Sequence, residues 1–527
     1  MTALFRVGIL IVCCAMLTSS PCWAIGSIKV VLQDGDPAPN GNGVFVTASS
    51  AVNYLTLNNV GQLAFGARLN STLGGFADDD AVFRHDGSVI TEIDREGAAT
   101  PNGDRFDSYF AYETVNSAGD VAFTVAASAA DGSTYWGIYR RDENGLAEIV
   151  TEGAPAPDGN GTFGNIGLPF TLGRPLLTRS GAVVFSGSLV GTAGGNSDNM
   201  GIYRGDGESL STIARRGGLT PDGVTRYAAL GGYVANEHGQ VVFDAQVSGW
   251  ASASGVFRGD GAFVTQIARA GDPAPGAAGP FALFKMLAIN DAGEAAFVGV
   301  LDQFVSTREA IYRGDGGTPK LIALTGQAAP GGNGSFQQFE SPLINSHDQT
   351  LFFATISGAA NGAHYGVFLA DGGVITPLAR QGATAPGGGK FDLRTDFLLN
   401  EVGQAAFYSE VNGTLGSIFF YDKRFGLLRA AGEGDALLGS TIDGIRFFGD
   451  SSGTTLIRDP YSSLNDRGQL AFAFTLKDGR GGVAVWSMPE PTTGACMAIF
   501  LGSLVAIRWR APFKPSYASP QPSCARC

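Results

Sequence analysis

Eight copies of one short phrase, Asn-x-x-Gly-x-x-Ala-Phe and close variants, run the length of this 527-residue chain. Successive copies lie 54 to 65 residues apart and end at Phe65, Phe123, Phe185, Phe243, Phe297, Phe352, Phe407 and Phe472. A period of this size fits one blade of a β-propeller. The repeat therefore restricts the chain to a propeller or to another stacked architecture.

Each phrase predicts a turn between two strands. Asn bonds its side chain to the backbone two residues on, and the following Gly takes a positive φ. The Phe then fills the space between neighbouring sheets. Five copies keep the whole phrase, including the Ala before Phe: Asn58, Gly61 and Phe65; Asn116, Gly119 and Phe123; Asn290, Gly293 and Phe297; Asn400, Gly403 and Phe407; Asn465, Gly468 and Phe472. Elsewhere Thr178 replaces Asn and Asp348 replaces Gly, and both substitutes are compatible with a turn.

Each repeat predicts four antiparallel strands. One strand precedes the phrase, one contains its Phe, and two more follow, often joined by an Asp-Gly hairpin such as Asp86-Gly87. A Gly- and Pro-rich segment then leads to the next repeat. We predict that it is a loop connecting two blades (a connector), because Pro cannot donate to a sheet ladder.

The ends of the repeat region distinguish a closed ring from an open solenoid. Residues 28–32 resemble a fourth strand without a repeat of its own, while the eighth repeat stops after its third strand at residues 483–486. A ring closed by this N-terminal strand buries every interior sheet edge, whereas a solenoid needs separate caps. We therefore predict an all-β, eight-bladed β-propeller over residues 25–488, with a solenoid as the alternative.

The N-terminal segment predicts export. Residues 1–24 contain Arg6, an apolar run and a small-x-small cleavage site at residues 22–24, as in a secretory signal peptide. The residues before Cys22 lack the expected Leu of a lipoprotein cleavage box.

The C-terminal segment combines a short proline-containing motif, an apolar run and a basic cluster. In residues 489–510, an apolar run separates a Pro-Glu-Pro motif, formed by Pro489, Glu490 and Pro491, from a basic cluster that contains Arg508 and Arg510. The run is short for a spanning helix, which favours a processed anchor over a permanent one. We expect residues 511–527 to form a disordered tail.

The repeats and the C-terminal motif together resemble a choice-of-anchor tandem repeat protein of the NxxGxxAF type joined to a PEP-CTERM sorting signal. The resemblance implies an exported bacterial protein of the cell surface or extracellular matrix. It also implies an exosortase-type enzyme as a partner and transient membrane anchoring through the C-terminal helix. It supplies no reaction and no catalytic residues. The tail of residues 511–527 is longer than is usual in that family.

Charge and cysteine content exclude several functions. The net charge is −13, and no basic stripe is present to neutralise phosphates, so we predict no nucleic-acid partner. No Cys lies between residues 25 and 495, so the repeat region has neither a disulfide nor a nucleophilic thiol. The four histidines stand singly, without metal-ligand or catalytic-triad spacing.

Because successive antiparallel strands reverse direction, alternate connections lie on the same face of the ring. The loops between strands two and three therefore lie on the same ring face as the connectors. These loops vary in length, as partner-binding loops do. We predict that this face binds a ligand, such as an extracellular glycan, by stacking on four aromatic residues: Tyr135, Trp136, Trp250 and Tyr365. The alternative is that these aromatics only cover blade edges.

Five acidic residues on this face offer oxygen ligands for Ca²⁺: Asp36, Asp78, Asp79, Asp80 and Asp272. No calcium-loop spacing is present, so solvated loop acids are the alternative, and we predict no other cofactor. Three Arg-Gly-Asp tripeptides, at residues 204–206, 258–260 and 313–315, resemble an integrin-binding motif but also fit hairpin turns.

These observations predict a non-catalytic binding or structural module whose partner is a glycan or another surface protein. The alternative is a hydrolase or lyase that acts on extracellular polysaccharide, because propellers can gather carboxylates from distant blades around the central channel.

Overall fold

Eight sheets, one for each copy of the phrase, make up the structure. The computed structural model describes residues 26–46, 52–107, 111–166, 175–249, 254–301, 308–359, 363–446 and 463–489. Each sheet pairs its strands in the order first, second, third and fourth, and residues 28–487 form one compact unit. This arrangement confirms the predicted eight-bladed propeller.

The strands of the first half of the ring follow the N-terminal strand β1 (Ser27–Gln33). Blade one contains β2 (Val44–Val46), β3 (Val52–Leu57), β4 (Leu63–Asn70), β5 (Asp80–His85) and β6 (Ile90–Arg95). Blade two contains β7 (Arg105–Phe106), β8 (Ala111–Val115), β9 (Val121–Ser128), β10 (Thr134–Asp142) and β11 (Gly145–Thr151). Blade three contains β12 (Thr162–Ile166), β13 (Leu176–Leu177), β14 (Val183–Val190), β15 (Met200–Gly205) and β16 (Leu210–Arg215). Blade four contains β17 (Tyr227–Ala235), β18 (Val241–Val247), β19 (Ser254–Gly259) and β20 (Val264–Arg269).

The second half continues in the same pattern. Blade five contains β21 (Leu283–Ile289), β22 (Ala295–Val300), β23 (Glu309–Gly314) and β24 (Lys320–Leu324). Blade six contains β25 (Ser335–Ile344), β26 (Gln349–Ser357), β27 (Tyr365–Asp371) and β28 (Val374–Arg380). Blade seven contains β29 (Phe391–Leu399), β30 (Ala405–Val411), β31 (Leu415–Asp422) and β32 (Gly426–Gly432). Blade eight contains β33 (Ala436–Leu437), β34 (Ser440–Arg446), β35 (Gln469–Leu476) and β36 (Gly481–Ser487). Two short 3₁₀ turns, η1 (Gly75–Ala77) and η2 (Gly195–Ser197), lie in blades one and three.

The N-terminal strand closes the ring, as predicted. Strand β1 is hydrogen-bonded to β36 and completes blade eight. Just after β1, the Asp34 amide donates to the Gly481 carbonyl at 3.0 Å, and the Gly481 amide donates to Asp34 Oδ2 at 2.6 Å. Leu32 is buried in one cluster with Val483. The first and last parts of the repeat region therefore share one sheet.

In blades one, three and six, the first strand begins directly after the Gly- and Pro-rich connector. Phe45, Phe163 and Phe336 follow the connectors in sequence, and they lie in β2, β12 and β25. The connector folds back on this strand, since the Phe45 amide donates to the Asp36 carbonyl at 2.9 Å. In blades one to three the first strand is interrupted, and both of its parts pair with the second strand.

Three aromatic rings from the first three strands form the core of most blades. In blade one, the Phe45 and Phe83 rings are 4.8 Å apart edge to face, and Phe65 stacks on Phe83 at 5.7 Å. Aromatic pairs of this kind contribute about 0.5–1.5 kcal/mol each beyond their burial. The repeat Phe therefore packs within its own blade as well as between blades.

The repeat Asn residues link each blade to the next. The Asn58 Oδ1 accepts hydrogen bonds from the amides of Val60 and Gln62, as the turn prediction requires. Its Nδ2 donates across the blade boundary to the Asn116 carbonyl at 2.7 Å. Seven such links, of 2.7 to 3.2 Å, run around the ring from blades one, two, four, five, six, seven and eight.

The last of these links closes the circuit, because Asn465 Nδ2 donates to the Asn58 carbonyl at 2.9 Å. Blade three has no side-chain amide at this position, because Thr178 replaces Asn. There the Arg179 amide donates to the Glu237 carbonyl at 2.8 Å and bridges to blade four. Asp348 adopts the positive φ of the Gly that it replaces, at 60°, as predicted.

Substitution of a repeat Asn tests the contribution of this circuit. Asn400 is buried, and Asn400→Ala removes the donor to the Asn465 carbonyl and the acceptor for the Gln404 amide. Because buried polar groups then lose their partners, we expect a loss of about 1–3 kcal/mol in the free energy of unfolding. Urea denaturation measures this loss, and Val402→Ala, at an exposed residue of the same turn, is the control. Equal stability of the two variants would contradict a structural role for the link.

Candidate functional site

The loops between the second and third strands lie on the same face as the connectors, and we call this the connector face. In blade one the Asn42 side chain, in the connector, donates to Asp78 Oδ2 at 2.8 Å in the loop. In blade three Asn160 and Asp198 make the same contact at 2.8 Å. The opposite face, which we call the turn face, carries the Asn-x-x-Gly turns and the Asp-Gly hairpins.

The structure separates the predicted stacking residues. The Tyr135 hydroxyl donates to Asp104 at 2.8 Å and accepts a hydrogen bond from Asn102, so this ring is fixed to its own blade. Burial raises the pKa of Tyr135. Trp136 follows it in β10 and is half-buried, and Trp250 lies outside the described residues. Tyr365 is 38% exposed, but it belongs to blade six, on the opposite side of the ring from blade two.

Two large apolar side chains that the sequence analysis missed project from the connector face of blade one. Leu73 is 93% exposed and Phe76 is 90% exposed. Their loop is held from both sides, because the Leu73 amide donates to Asn42 Oδ1 at 2.7 Å and the Gly74 amide donates to Asp78 Oδ1 at 3.1 Å. The loop therefore presents both side chains to solvent in a fixed conformation.

Blade three uses the same loop without the apolar residues. Its 3₁₀ turn η2 matches η1, and the Ala193 amide donates to Asn160 Oδ1 at 2.7 Å, as Leu73 does to Asn42. Ala193 stands in place of Leu73, and Asn196 stands in place of Phe76. The scaffold therefore does not require Leu73 or Phe76, so these residues are additions to it.

Three carboxylates lie close together at the end of this loop. Oxygens of Asp79, Asp80 and Glu96 lie within 4.8 Å of one another, and Arg68 Nε lies 3.2 Å from Asp80 Oδ1. Asp79 and Asp80 were predicted cation ligands, and Glu96 was not. Within the described ranges, these three residues are the group that could hold a cation, although Arg68 already supplies positive charge there.

The other predicted Ca²⁺ ligands do not join this group. Asp78 accepts hydrogen bonds from Asn42 and from the Gly74 amide, which hold the loop. Asp36 accepts from the Gln33 amide at 2.9 Å within the first connector, and Asp272 lies in the connector between blades four and five.

Glu96 also has a structural role that recurs in other blades. Glu152 of blade two occupies the same position and accepts a hydrogen bond from the Trp136 amide at 3.0 Å. Asp34 makes the corresponding bond in blade eight. Blade one differs because Asp79 and Asp80 are next to this carboxyl group. Burial, together with their charges, raises the pKa of Glu96 to about 7 from 4.5.

This shift predicts a pH dependence of stability. The folded protein binds the Glu96 proton more tightly than the unfolded chain does. The protonated carboxyl group therefore adds to the free energy of unfolding below about pH 4.5, and this contribution is lost as the pH rises through about 7. Glu96→Gln keeps an acceptor but cannot ionise, so we expect a smaller drop in the urea midpoint between about pH 5 and about pH 8. Glu152→Gln, without the two neighbouring aspartates, is the matched control and should have a smaller effect. An unchanged pH profile for Glu96→Gln would contradict this assignment.

A second group of carboxylates lies at the axis on the turn face. The residue after each repeat Asn or Thr points to this region: Asn59, Ser117, Arg179, Glu237, Asp291, Ser346, Glu401 and Asp466. Ser117 of blade two donates to Glu237 of blade four at 3.1 Å, a contact between blades that are not neighbours. The position after the repeat Asn therefore reaches the centre of the ring.

Most of these carboxylates are hydrogen-bonded to other blades. Asp466 accepts from the Glu401 amide at 3.0 Å and from the Asn59 side chain at 2.8 Å. Arg179 donates to Glu237 at 2.8 Å. Burial, together with the charges of Glu401 and Glu237, raises the pKa of Asp291 to about 6. The group thus joins the blades and also holds a carboxyl group that gains a proton in mildly acidic solution.

The Arg-Gly-Asp tripeptides are hairpin turns of the blades. Asp206 accepts from the amides of Glu208 and Ser209, and these bonds lower its pKa. Arg258 donates to the Gly293 carbonyl of the next blade at 2.6 Å. The Asp and the Arg of these tripeptides therefore both have hydrogen-bond partners within the propeller.

The described part of the chain ends at Pro489, so the rest of the predicted sorting signal, Glu490, Pro491, Arg508 and Arg510, lies outside it. The predicted segments 1–24 and 511–527 lie outside it as well. Within the described ranges, no helix has the length and hydrophobicity needed to cross a membrane.

The solved structures that are similar to this chain have very low sequence identity to it. An acylaminoacyl peptidase of Pyrococcus horikoshii is 8% identical with a TM-score of 0.34, covering 81% of this chain and 57% of its own. Trypanosoma rangeli sialidase is 10% identical with a TM-score of 0.28, and the match covers 91% of this chain and 98% of the sialidase chain. An α-L-arabinofuranosidase of Fusarium graminearum is 11% identical with a TM-score of 0.28, and the match covers 66% of this chain and 98% of the arabinofuranosidase chain. These values carry no argument about function.

No curated protein matches the sequence. One family model matches twice, over residues 22–253 and 248–495, and its two matches span nearly all of the propeller. The chain therefore belongs to this family, DUF7453, a family of unknown function.

Proposed function

We propose that this protein is a non-catalytic binding module of the cell surface or extracellular matrix, and that its connector face carries the binding site. The observation that supports this most strongly is the pair Leu73 and Phe76, which a hydrogen-bonded loop holds in solvent. Neighbouring apolar groups exposed together on an ordered surface are typical of partner-contact sites, whereas single exposed apolar residues are common. Blade three shows that the same loop folds without them.

The chemistry of this surface fits an extracellular glycan. The apolar face of a sugar ring packs against an aromatic ring such as Phe76, while its hydroxyl groups bond to neighbouring polar groups. Asp80, half-buried at the start of β5 and four residues beyond Phe76, can accept such bonds. Tyr365, stacked on Phe353 at 5.6 Å, offers a separate aromatic surface on blade six.

A loop exchange within the chain tests this proposal. The double variant Leu73→Ala and Phe76→Asn copies the residues of blade three, so it should fold normally. We expect it to lose most of its retention on cell-wall or matrix polysaccharide, measured by affinity electrophoresis or calorimetry. The control Phe263→Asn removes a 79% exposed Phe from the turn face and should bind like the natural protein. Equal retention of the double variant and the natural protein would contradict the assignment of the site.

A hydrolase or lyase that acts on extracellular polysaccharide is the second candidate. The axial carboxylates support it, because general acid catalysis needs a carboxyl group that is protonated near the working pH, and Asp291 has a raised pKa of about 6. A panel of polysaccharide and ester substrates, tested with the natural protein and with Asp291→Asn, separates the two candidates. Turnover that Asp291→Asn abolishes would favour the enzyme.

The termini support export and sorting as part of this proposal. Residues 1–24 would direct secretion, and an exosortase-type enzyme would recognise the segment from Pro489 to Arg510. Replacing Pro489, Glu490 and Pro491 by Ala should leave the protein in the membrane fraction instead of the cell surface or matrix. Unchanged fractionation would contradict sorting through this motif.

A further inference from the structure

Five consecutive blades carry an Arg at one position of their third strand. This residue pairs with the one before the repeat Phe, as Arg258 pairs with Val242 in blade four. The five residues are Arg84, Arg140, Arg204, Arg258 and Arg313. The position lies on the turn face, at the junction with the next blade.

Three of these guanidinium groups donate to the Gly carbonyl in the repeat turn of the following blade. Arg140 Nη1 donates to the Gly181 carbonyl at 2.5 Å, and Arg258 Nη1 donates to the Gly293 carbonyl at 2.6 Å. Arg84 donates in the same way to the Gly119 carbonyl. The ring therefore has a recurrent site for a guanidinium group at its blade junctions.

Blade six has Leu369 at this position, paired with Leu351. A cleft of about 370 Å³ lies there, between blades six and seven, and its lining includes Leu369, Gly403 and Tyr421. Pockets for small ligands have volumes of about 300–1,000 Å³. The cleft thus occupies the place that a guanidinium group fills at the junctions that follow blades one to five.

The other two junctions without this Arg contain other side chains. Phe420 of blade seven packs against Trp486 of blade eight, with ring centres 4.8 Å apart. In blade eight Val485 holds the position, and the Arg467 guanidinium approaches Gly61 of blade one. The junction of blades six and seven is therefore distinct from both.

The acceptors for a guanidinium group remain at this junction. Asp371 lies two residues after Leu369, and in blade two the corresponding Asp142 pairs with Arg140 at 2.8 Å. Asp371 now accepts from Gln349 Nε2 at 3.1 Å, and Lys423 Nζ lies 3.8 Å away. Lys423 is 83% exposed, so its amine lies at the rim of the cleft.

We propose that the cleft between blades six and seven binds a guanidinium group, as carried by the side chain of arginine. Asp371 supplies the negative charge, and the Gly403 turn of blade seven supplies backbone acceptors like those at the other junctions. The planar group would lie between the blades, over Leu369. This site is on the turn face and is independent of the ligand site proposed for the connector face.

Binding of N-acetyl-L-arginine amide to the full propeller tests the proposal, measured by titration calorimetry at low salt. We expect saturable binding with one site per chain, and no saturable binding of the neutral citrulline analogue. Leu369→Arg places the chain's own guanidinium group in the cleft and should abolish binding. Leu369→Phe copies the residue of the next junction, blocks the same space without charge, and should abolish binding as well.

Charge variants sharpen this test. Asp371→Asn should weaken binding about tenfold, because it removes a charge-assisted hydrogen bond. The matched control is Asp315→Asn, at the same position in blade five, where Arg313 is present, and it should bind like the natural protein. Lys423→Gln should bind at least as tightly, because a competing cation is removed. Equal binding of the arginine and citrulline analogues, or full binding by both Leu369 variants, would overturn the proposal.

Discussion

The propeller depends on a circuit of buried hydrogen bonds between repeat turns. In each complete copy, one Asn amide group does two things: its oxygen holds its own turn and its nitrogen reaches the carbonyl of the next repeat. The link from Asn465 to Asn58 joins residues at opposite ends of the repeat region, so the circuit has no free end. An amide side chain provides both an acceptor and a donor, which Asp and Ser cannot do in the same geometry. This requirement explains why Asn recurs.

The same repeat that builds the ring also leaves room for differences at each blade. Substitutions at single repeat positions change one junction or one loop without disturbing the others, as Leu369 does between blades six and seven. Phe76 similarly adds an apolar group to a loop that folds in blade three with Asn196. Positions where one copy departs from its siblings are therefore the best guide to function in a chain built from equivalent units.

The sequence predicted the architecture well because periodicity reports it directly. The spacing of the phrase indicated a propeller blade, and its eight copies gave the number of blades. Residues 28–32 lacked a repeat of their own, which predicted closure by the N-terminal strand. The Asn turn was predicted only in part, since its link to the next blade depends on how blades pack. The start of the first strand was not predicted, because Phe45 directly follows a proline-rich connector whose end the sequence does not mark.

The candidate sites were less predictable, because they depend on contacts between distant residues. Glu96 approaches Asp79 and Asp80 only through pairing of the third and fourth strands, and Glu237 meets Ser117 only at the ring axis. Aromatic residues were selected by type, yet Tyr135 is fixed to its own blade by Asp104. Aligning the copies would have revealed both Phe76 and Leu369, because Leu369 replaces the Arg of blades one to five and Phe76 replaces Asn196 of the matching loop in blade three.

Hydrogen exchange on a chain that begins at Asp34, compared with one that begins at Ser27, tests ring closure most directly. Without β1, blade eight loses its outer strand and the burial of Leu32, so β35, β36 and the Asn58 turn should lose protection from exchange. Added peptide of residues 27–33 should restore it. Equal protection of these segments in the two chains would contradict a ring closed by its N-terminal strand.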